Sequence, residues 1–590
     1  MNPGLPATDP SSSTSRLKRS GPAIVTLVAL AAVLVSGERG NFGLQLAEAP
    51  GLTLDEGFNV ATGAYLVRSL QQDGLGSLHP DTVREVYGSP NYNPDHPPLG
   101  RWALGYVHEW LAGDEAAAFN EFAARPASAI AFALTVFIVG WFLQKWFGPM
   151  AGTVAAFAVA ILPRQFAHAH LASLETFIGL TYAACVLVTA DRCRPSSSSA
   201  SGYRGFALAG FVFGLALLTK IQAVFLGPAV GLWALTQWRL KAFPRVALFG
   251  AVGLAVFFFG WPWLWLDPLT HLTEYFARTT DRQTLYCFYW GERWADRDVP
   301  WHYPWVMFAV TVPIGLHLLA GWGVLKSRHF WEGEAPAEPQ VLPRGNFRKA
   351  SSGRERADGA VRAREHQGAD APRSTGRCWI DPRVQFLLWA IAIPLLVFTL
   401  PGIRVYDGER LFGNVFPLWG ALAGLGAAAI VQRFPGRRTL AALGALLAFQ
   451  AWGIVSLNPF QLNYYNALTG GLAGADRLGF ERTYWMEQLT DSFQREIVEN
   501  VPRGSRIDVA PVLHPVYLGH ILSKSPILRA AGISLAAYDD KQPGGSEFVL
   551  HFHRKADPWE SLSPPPEGTR VLAEVQRDGV PLLSLYQLAQ

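Results

Sequence analysis

The sequence predicts an α-helical polytopic membrane protein of about eleven transmembrane helices, ending in a small extracytoplasmic α/β domain. Three observations carry that prediction. The 590 residues are 50% hydrophobic and only 16% charged, with a mean hydropathy of +0.15, whereas soluble domains run nearer a quarter charged. The apolar residues gather into runs of about 15 to 23 residues separated by polar connectors, as bilayer-spanning helices require. Lys and Arg are then distributed among the connectors so as to fix an orientation.

Eleven spans follow from those runs: 21–36, 126–147, 149–163, 173–190, 204–219, 221–238, 244–266, 304–325, 384–401, 411–432 and 439–457. With the N-terminus (1–20) in the cytoplasm, every cytoplasmic connector carries basic residues: Arg16, Lys18 and Arg19; Lys145; Arg192 and Arg194; Arg239, Lys241 and Arg245; the 326–383 loop; and Arg433, Arg437 and Arg438. That is the positive-inside bias, and an odd number of spans sends the C-terminus outside. Arg16–Arg19 followed by the apolar run 23–35 also resembles a signal peptide, but the nearest small-x-small site, Ala47–Ala49, is far from that run, which favours a retained anchor.

Between the spans, 37–125 forms a large first external loop and 267–303 a second, rich in aromatics and charges. Residues 326–383 hold 12 Lys/Arg and 8 Asp/Glu among Gly, Pro, Ser and Ala, a composition unable to close a core, and read as a disordered cytoplasmic loop. Residues 458–590 read as the extracytoplasmic domain, with a helix near 485–500 and strands at 506–512, 547–552 and 571–575. The four cysteines, Cys185, Cys193, Cys287 and Cys378, make neither a zinc spacing nor a disulfide framework. A net charge of +4 leaves no nucleic-acid footprint.

Candidate chemistry gathers where spans meet water on the outer face. Leu52-Thr53-Leu54-Asp55-Glu56-Gly57-Phe58 offers adjacent carboxylates, one able to act while the other orients it. The competing reading is a helix cap, because Thr53, Asp55 and Glu56 precede the amphipathic run 58–70. Asn93-Pro94-Asp95-His96-Pro97-Pro98-Leu99-Gly100-Arg101 opens a helix over 102–111 suited to the membrane interface. A cationic set completes the face: Arg164, His168 and His170 in one connector, Lys220 in another, and Arg404 and Arg410 flanking Tyr406-Asp407-Gly408-Glu409 in a third. External cations run against the positive-inside bias. Each alone could snorkel to the interface; several converging from different connectors suit an anionic phosphate. The His168/His170 spacing and the lack of an HExxH-like pattern argue against a metal site, so none is assigned.

In order, these segments resemble the glycosyltransferases of the GT-C fold, in particular the protein O-mannosyltransferase group (glycosyltransferase family 39) and its relative the lipid A aminoarabinose transferase. The resemblance covers about 50–465 and rests on Leu54-Asp55-Glu56-Gly57-Phe58-Asn59, His96-Pro97-Pro98-Leu99-Gly100-Arg101, 167–176, Gly214–Lys220, Tyr406–Arg410 and Asn458–Asn466. It implies a GT-C-like transmembrane catalytic body over 21–457, in the bacterial inner (plasma) membrane with its active site outside. It also implies a polyprenyl-phosphate sugar donor and a protein, lipid or glycan acceptor. Asp55 matches the family's base and Glu56 the second acid. His96 and Arg101 match the following motif, and Lys220 and the 404–410 segment match positions where cations meet lipid phosphate. His168 and His170 stand where the family tends to show Arg, and Glu175 where it tends to show Asp, which leaves sugar and acceptor open. Inverting displacement needs one base and cations for the leaving phosphate, so no cofactor is required, though a divalent metal could assist. A transporter or lipid flippase is the alternative from another class; it should hold ionisable groups at mid-bilayer, and the span cores here are nearly free of charge.

Overall fold

The computed structural model describes residues 20–37, 48–112, 120–193, 199–281, 283–332, 380–512, 514–539 and 546–589. Most of the 326–383 loop, Cys378, the basic Arg16–Arg19 cluster and parts of the 37–125 loop lie outside the described residues. Helical structure occupies every predicted span, for example Gly21–Gly37, Glu121–Phe147, Glu175–Arg192, Pro382–Val397 and Arg437–Ser456. Length and composition alone qualify fewer of them to cross a membrane. Among the described residues four helices pass, Glu121–Phe147, Ile221–Phe259, Gly413–Arg433 and Arg437–Ser456, and a bent pair makes a fifth if taken as one span. Gly21–Gly37, Pro149–Ala160, Gly202–Leu217 and Pro382–Val397 are apolar but shorter.

That bent pair corrects the straight span expected at 304–325. Tyr303–Thr311 and Ile314–Ser327 meet at 108°. Pro313 supplies the break, since it lacks an N–H and disfavours helix at Val312. The freed backbone groups find partners inside the protein: Asn466 Nδ2 donates to the carbonyls of Ala309 (2.7 Å) and Val312 (2.6 Å), and Gln450 Oε1 accepts from Gly315 N (3.0 Å). An interrupted apolar helix is tolerated where neighbours satisfy its backbone in this way.

In the loop read as the first external one, the described residues form helices Leu54–Asp73, Pro80–Tyr87 and Pro98–Leu111. Pro98 takes the first helical position, where a missing N–H costs nothing. The first and last of these helices cross in close contact: a Cβ on Gly63 would stand 2.2 Å from the Arg101 carbonyl oxygen, and one on Gly105 2.3 Å from Gly63 backbone. Only glycines permit that approach, and it ties the Asp55 helix to the His96–Arg101 segment. The second loop contributes helix Pro268–Thr280 and a hairpin of β1 (Tyr286–Tyr289) and β2 (Glu292–Ala295).

The C-terminal domain is α/β, as expected, with more strands than its sequence advertises. Helix Asp491–Asn500 starts at an N-cap in which Thr490 Oγ1 accepts from Phe493 N. The sheet contains β3 (Arg506–Ala510), β4 (Ser534–Ala537), β5 (Phe548–Phe552), β6 (Arg570–Arg577) and β7 (Val580–Gln587), in the order β4-β3-β5-β7-β6. β3 runs parallel to β4 and β5, while β7 is antiparallel to β5 and β6. Met486, Phe493, Ile497, Ile507, Leu550 and Leu583 build its core. The domain sits against the Asp55 helix: Tyr517 Oη donates to the Leu52 carbonyl (2.9 Å), and Phe58 packs edge-on to His514, ring centroids 5.5 Å apart.

Candidate active site

Four of the nominated residues meet, although they lie as far apart in sequence as Asp55 and Arg410. Lys220 Nζ donates to Glu175 Oε1 (2.6 Å), and Arg410 Nε donates to the same oxygen (2.9 Å). Arg410 Nη2 pairs with Asp55 Oδ2, and Arg410 Nη1 donates to Asp407 Oδ2 (3.2 Å). Each comes from the end of an element: Asp55 from the first turn of Leu54–Asp73, Glu175 from the first residue of Glu175–Arg192, Lys220 from the residue before the 3₁₀ turn Ile221–Phe225, and Arg410 from the 404–410 connector. The set is buried except at Asp55, whose side chain is 32% exposed against 13% for Arg410 and about 6% for Glu175. Burial pushes Lys220 below the ordinary lysine range, with the Glu175 charge working against it.

His96 and His168 border this cluster. His96 is half-buried; burial, then the charges of Arg101, Lys220 and Arg410, hold it well below the usual imidazole range, hence neutral. His168 is buried edge-on to Trp485, with centroids 5.2 Å apart. Among the described residues its Nδ1 has no hydrogen-bond partner, and burial pushes its pKa down to about 4. A small cavity opens beside it, bounded by His168, Asp407, Glu409, Arg410, Tyr484 and Trp485.

The other nominated residues are engaged elsewhere. Glu56 turns away from Asp55 into a buried pair with Arg125, accepting from its Nε (2.8 Å) and Nη2 (3.0 Å). It also accepts from Ala172 N (2.8 Å), Thr53 N (2.9 Å) and Thr53 Oγ1 (3.1 Å). The capping reading thus describes Glu56, while Asp55 faces the cluster. Arg101 is spent on its own loop, donating to Asn59 Oδ1 (3.3 Å), the Asn93 carbonyl and the His96 carbonyl (3.3 Å). His170 is occupied by Ser36 Oγ (2.7 Å) and the Phe166 carbonyl (2.8 Å). Arg404 pairs with Asp296 Oδ2 (2.8 Å), outside the cluster. Arg164 pairs with Glu409 and donates to Tyr484 Oη (2.8 Å).

Several neighbours carried no assigned role from sequence. Trp485 lies under Arg410, its ring centroid 4.4 Å from the guanidinium carbon, a cation–π contact. Asp407 has φ +54° and is followed by Gly408 at φ +65°. A Cβ on Gly408 would stand 2.5 Å from Tyr484 Oη and 2.9 Å from Arg164 Nη1, so this turn requires glycine. The Asp-Gly pair was a readable turn signal; the tryptophan, 75 residues on from Arg410, gave none. Among the described residues, no group of three or more His, Cys, Asp or Glu is placed to hold a metal ion.

Residues 95–265 match the family model of the dolichyl-phosphate-mannose-protein mannosyltransferases. The match includes His96, Arg101, His168, His170, Glu175 and Lys220, and meets the resemblance read from the motifs over that part of the chain. No curated protein sequence matches the chain. Among solved structures it is similar to ArnT from Cupriavidus metallidurans bound to undecaprenyl phosphate, at 14% identity and a TM-score of 0.47, covering 96% of this chain and 98% of that one. It is also similar to the oligosaccharyltransferase AglB from Archaeoglobus fulgidus in complex with an inhibitory peptide and a dolichol-phosphate, at 12% identity, a TM-score of 0.43, and coverage of 91% and 70%. A third similarity is to the S. cerevisiae protein O-mannosyltransferase Pmt1-Pmt2 complex bound to the sugar donor, at 17% identity, a TM-score of 0.31, and coverage of 48% and 41%.

Proposed function

We propose, from a chain whose residues 95–265 are of the mannosyltransferase type, that this protein is an integral-membrane glycosyltransferase. It moves a sugar from a polyprenyl-phosphate donor to an acceptor hydroxyl on the extracytoplasmic face, within an eleven-span topology. The observation that carries the reading is the convergence of Lys220 and Arg410 on one oxygen of Glu175 (2.6 and 2.9 Å), with Asp55 on the other side of the same guanidinium.

The chemistry follows from charge. As the bond from anomeric carbon to phosphate oxygen breaks, negative charge returns to the leaving phosphate, and two positioned cations stabilise it. The acceptor oxygen attacks from the opposite face and loses its proton to Asp55, so the anomeric centre inverts. His168 borders the cavity beside Arg410, where its imidazole can meet a hydroxyl of the donor sugar. The residues required are all in the chain, and the reading needs no cofactor.

The test uses the full-length protein in nanodiscs with a panel of radiolabelled polyprenyl-phosphate sugars, following release of polyprenyl phosphate. Wild type should release it from one sugar lipid. Asp55→Asn should bind that lipid at least as tightly while turning over about 10²- to 10⁴-fold more slowly, the usual contribution of a positioned base. Near-normal turnover in Asp55→Asn would remove Asp55 as the base. Saturable lipid binding without release from any donor would instead favour a flippase.

A further inference from the structure

One loop of the C-terminal domain backs the cluster behind Tyr484 and Trp485. After β5 the chain passes between the 404–410 connector and residues 476–484, and three contacts pin it there. Glu481 accepts from Lys555 N (2.8 Å) and Ala556 N (2.7 Å), Arg293 Nε donates to the Ala556 carbonyl (2.6 Å), and Lys555 Nζ pairs with Asp476 (2.6 Å). The loop carries Arg554, which is 5% exposed. Its Nη2 donates to Asp407 Oδ1 (3.2 Å), its Nε to Asp557 Oδ2 (2.7 Å), and its Nη1 to the Tyr484 carbonyl.

Two of those bonds lead to Arg410 by separate routes. Asp407 bridges the two arginines, giving Oδ1 to Arg554 and Oδ2 to Arg410. Tyr484, held through its carbonyl, precedes Trp485, whose ring lies under the Arg410 guanidinium. One route fixes the guanidinium in its plane and the other covers its face. Arg554 itself does not line the cavity beside Arg410.

We propose that Arg554 is a positioning residue: through Asp407 and through Tyr484–Trp485, the C-terminal domain sets the orientation in which Arg410 meets the donor phosphate. This rests on the proposed role of Arg410. Without Arg554, the Asp407 carboxylate loses one of its two cations and can turn, and Arg410 is left to redistribute among Asp55, Glu175 and Asp407. Contacting charged groups in one network couple by about 2- to 150-fold.

The experiment has two readouts on the full-length protein in nanodiscs. The first is the rate at which phenylglyoxal modifies Arg410, followed by mass spectrometry, which requires no activity. Arg554→Met and Asp407→Asn should each raise it several-fold. Arg554→Lys, which keeps the charge against Asp407, should stay near wild type. The second is the donor kcat/KM. Arg554→Met should lower it by about 10- to 100-fold, chiefly through KM, and by less than that in an Asp407→Asn background, where only the Tyr484–Trp485 route is left to lose. SDS unfolding identifies any variant that has lost its fold, and the conservative Arg554→Lys keeps the comparison available. Unchanged Arg410 labelling in folded Arg554→Met overturns the inference, as do losses that multiply in the double variant, or an Arg554→Lys that labels like Arg554→Met. If wild type transfers sugar from no donor, the transferase reading fails while the labelling still decides whether Arg554 positions Arg410.

Discussion

Asp55 and Glu56 are neighbours in sequence with opposite expected sensitivities. Glu56 is fully buried and accepts five hydrogen bonds, two from Arg125, one from Ala172 N and two from Thr53. In Glu56→Gln one oxygen becomes an amide that donates. Whichever oxygen is replaced, it then faces an Arg125 N–H and at least one further donor. Removing one partner of a buried pair costs about 3–5 kcal/mol. Arg125 retains the carbonyls of Pro50 (2.9 Å) and Gly51 (2.8 Å), which points to the lower end, about 3 kcal/mol. Asp55 has one charged contact and is a third exposed, while Arg410 keeps Glu175 and Asp407 without it. Asp55→Asn should therefore cost no more than about 1 kcal/mol. Unfolding in mixed detergent–SDS micelles, followed by tryptophan fluorescence, compares the two variants with wild type. Stability within about 0.5 kcal/mol of wild type in Glu56→Gln, combined with lost turnover, would refute the division.

Two further expectations concern pH. His168 and His170 are both pushed down to about 4 by burial from an ordinary 6.5, so the unfolded chain binds protons that the folded chain refuses, and stability falls as pH drops from about 6.5 towards 4. The apparent melting temperature across that window should vary less steeply in the double variant His168→Gln/His170→Gln; an unchanged slope contradicts the assignment. Glu487 has the opposite sign: burial pushes it up to about 7. The folded state there binds the extra proton, stability is lost as pH rises through 7, and Glu487→Gln should melt higher than wild type at pH 8 with little difference at pH 5.

The helices were legible because burial in lipid writes itself into composition: the run read as 439–457 appears as Arg437–Ser456, and that read as 126–147 as Glu121–Phe147. The 108° bend was not, since Pro313 announces a break but the angle depends on Asn466 and Gln450 arriving from elsewhere. The site divides along the same line. Cations in connectors read as external mark themselves as anomalies, but which of them converge is a tertiary fact. Arg404 and Arg410 flank one tetrapeptide, yet Asp296 takes the first and Asp55, Glu175 and Asp407 share the second. Strand β4 escaped notice because Ser-Leu-Ala-Ala has little strand character, and β7 because Pro581 interrupts its start.

On the proposed reaction, charge balance within the cluster links donor binding to base activation. Asp55, Glu175 and Asp407 face Lys220, Arg410 and Arg554, and Arg554 also pairs with Asp557, so the carboxylates at least match the cations. An arriving phosphate adds negative charge to a set whose cations are already paired, and its binding is helped when a carboxylate yields its place on a cation. Glu175 is held by both Lys220 and Arg410, and Asp407 by both Arg410 and Arg554. Asp55 has Arg410 as its charged contact and is the most exposed of the three, at 32%. It is the carboxylate that can leave at least cost. On the proposed reaction, the event that seats the phosphate on Arg410 also releases Asp55 from that arginine, at the moment when an acceptor proton needs a place to go. Donor occupancy then gates the base, and the acceptor is activated only when a sugar is in place to receive it.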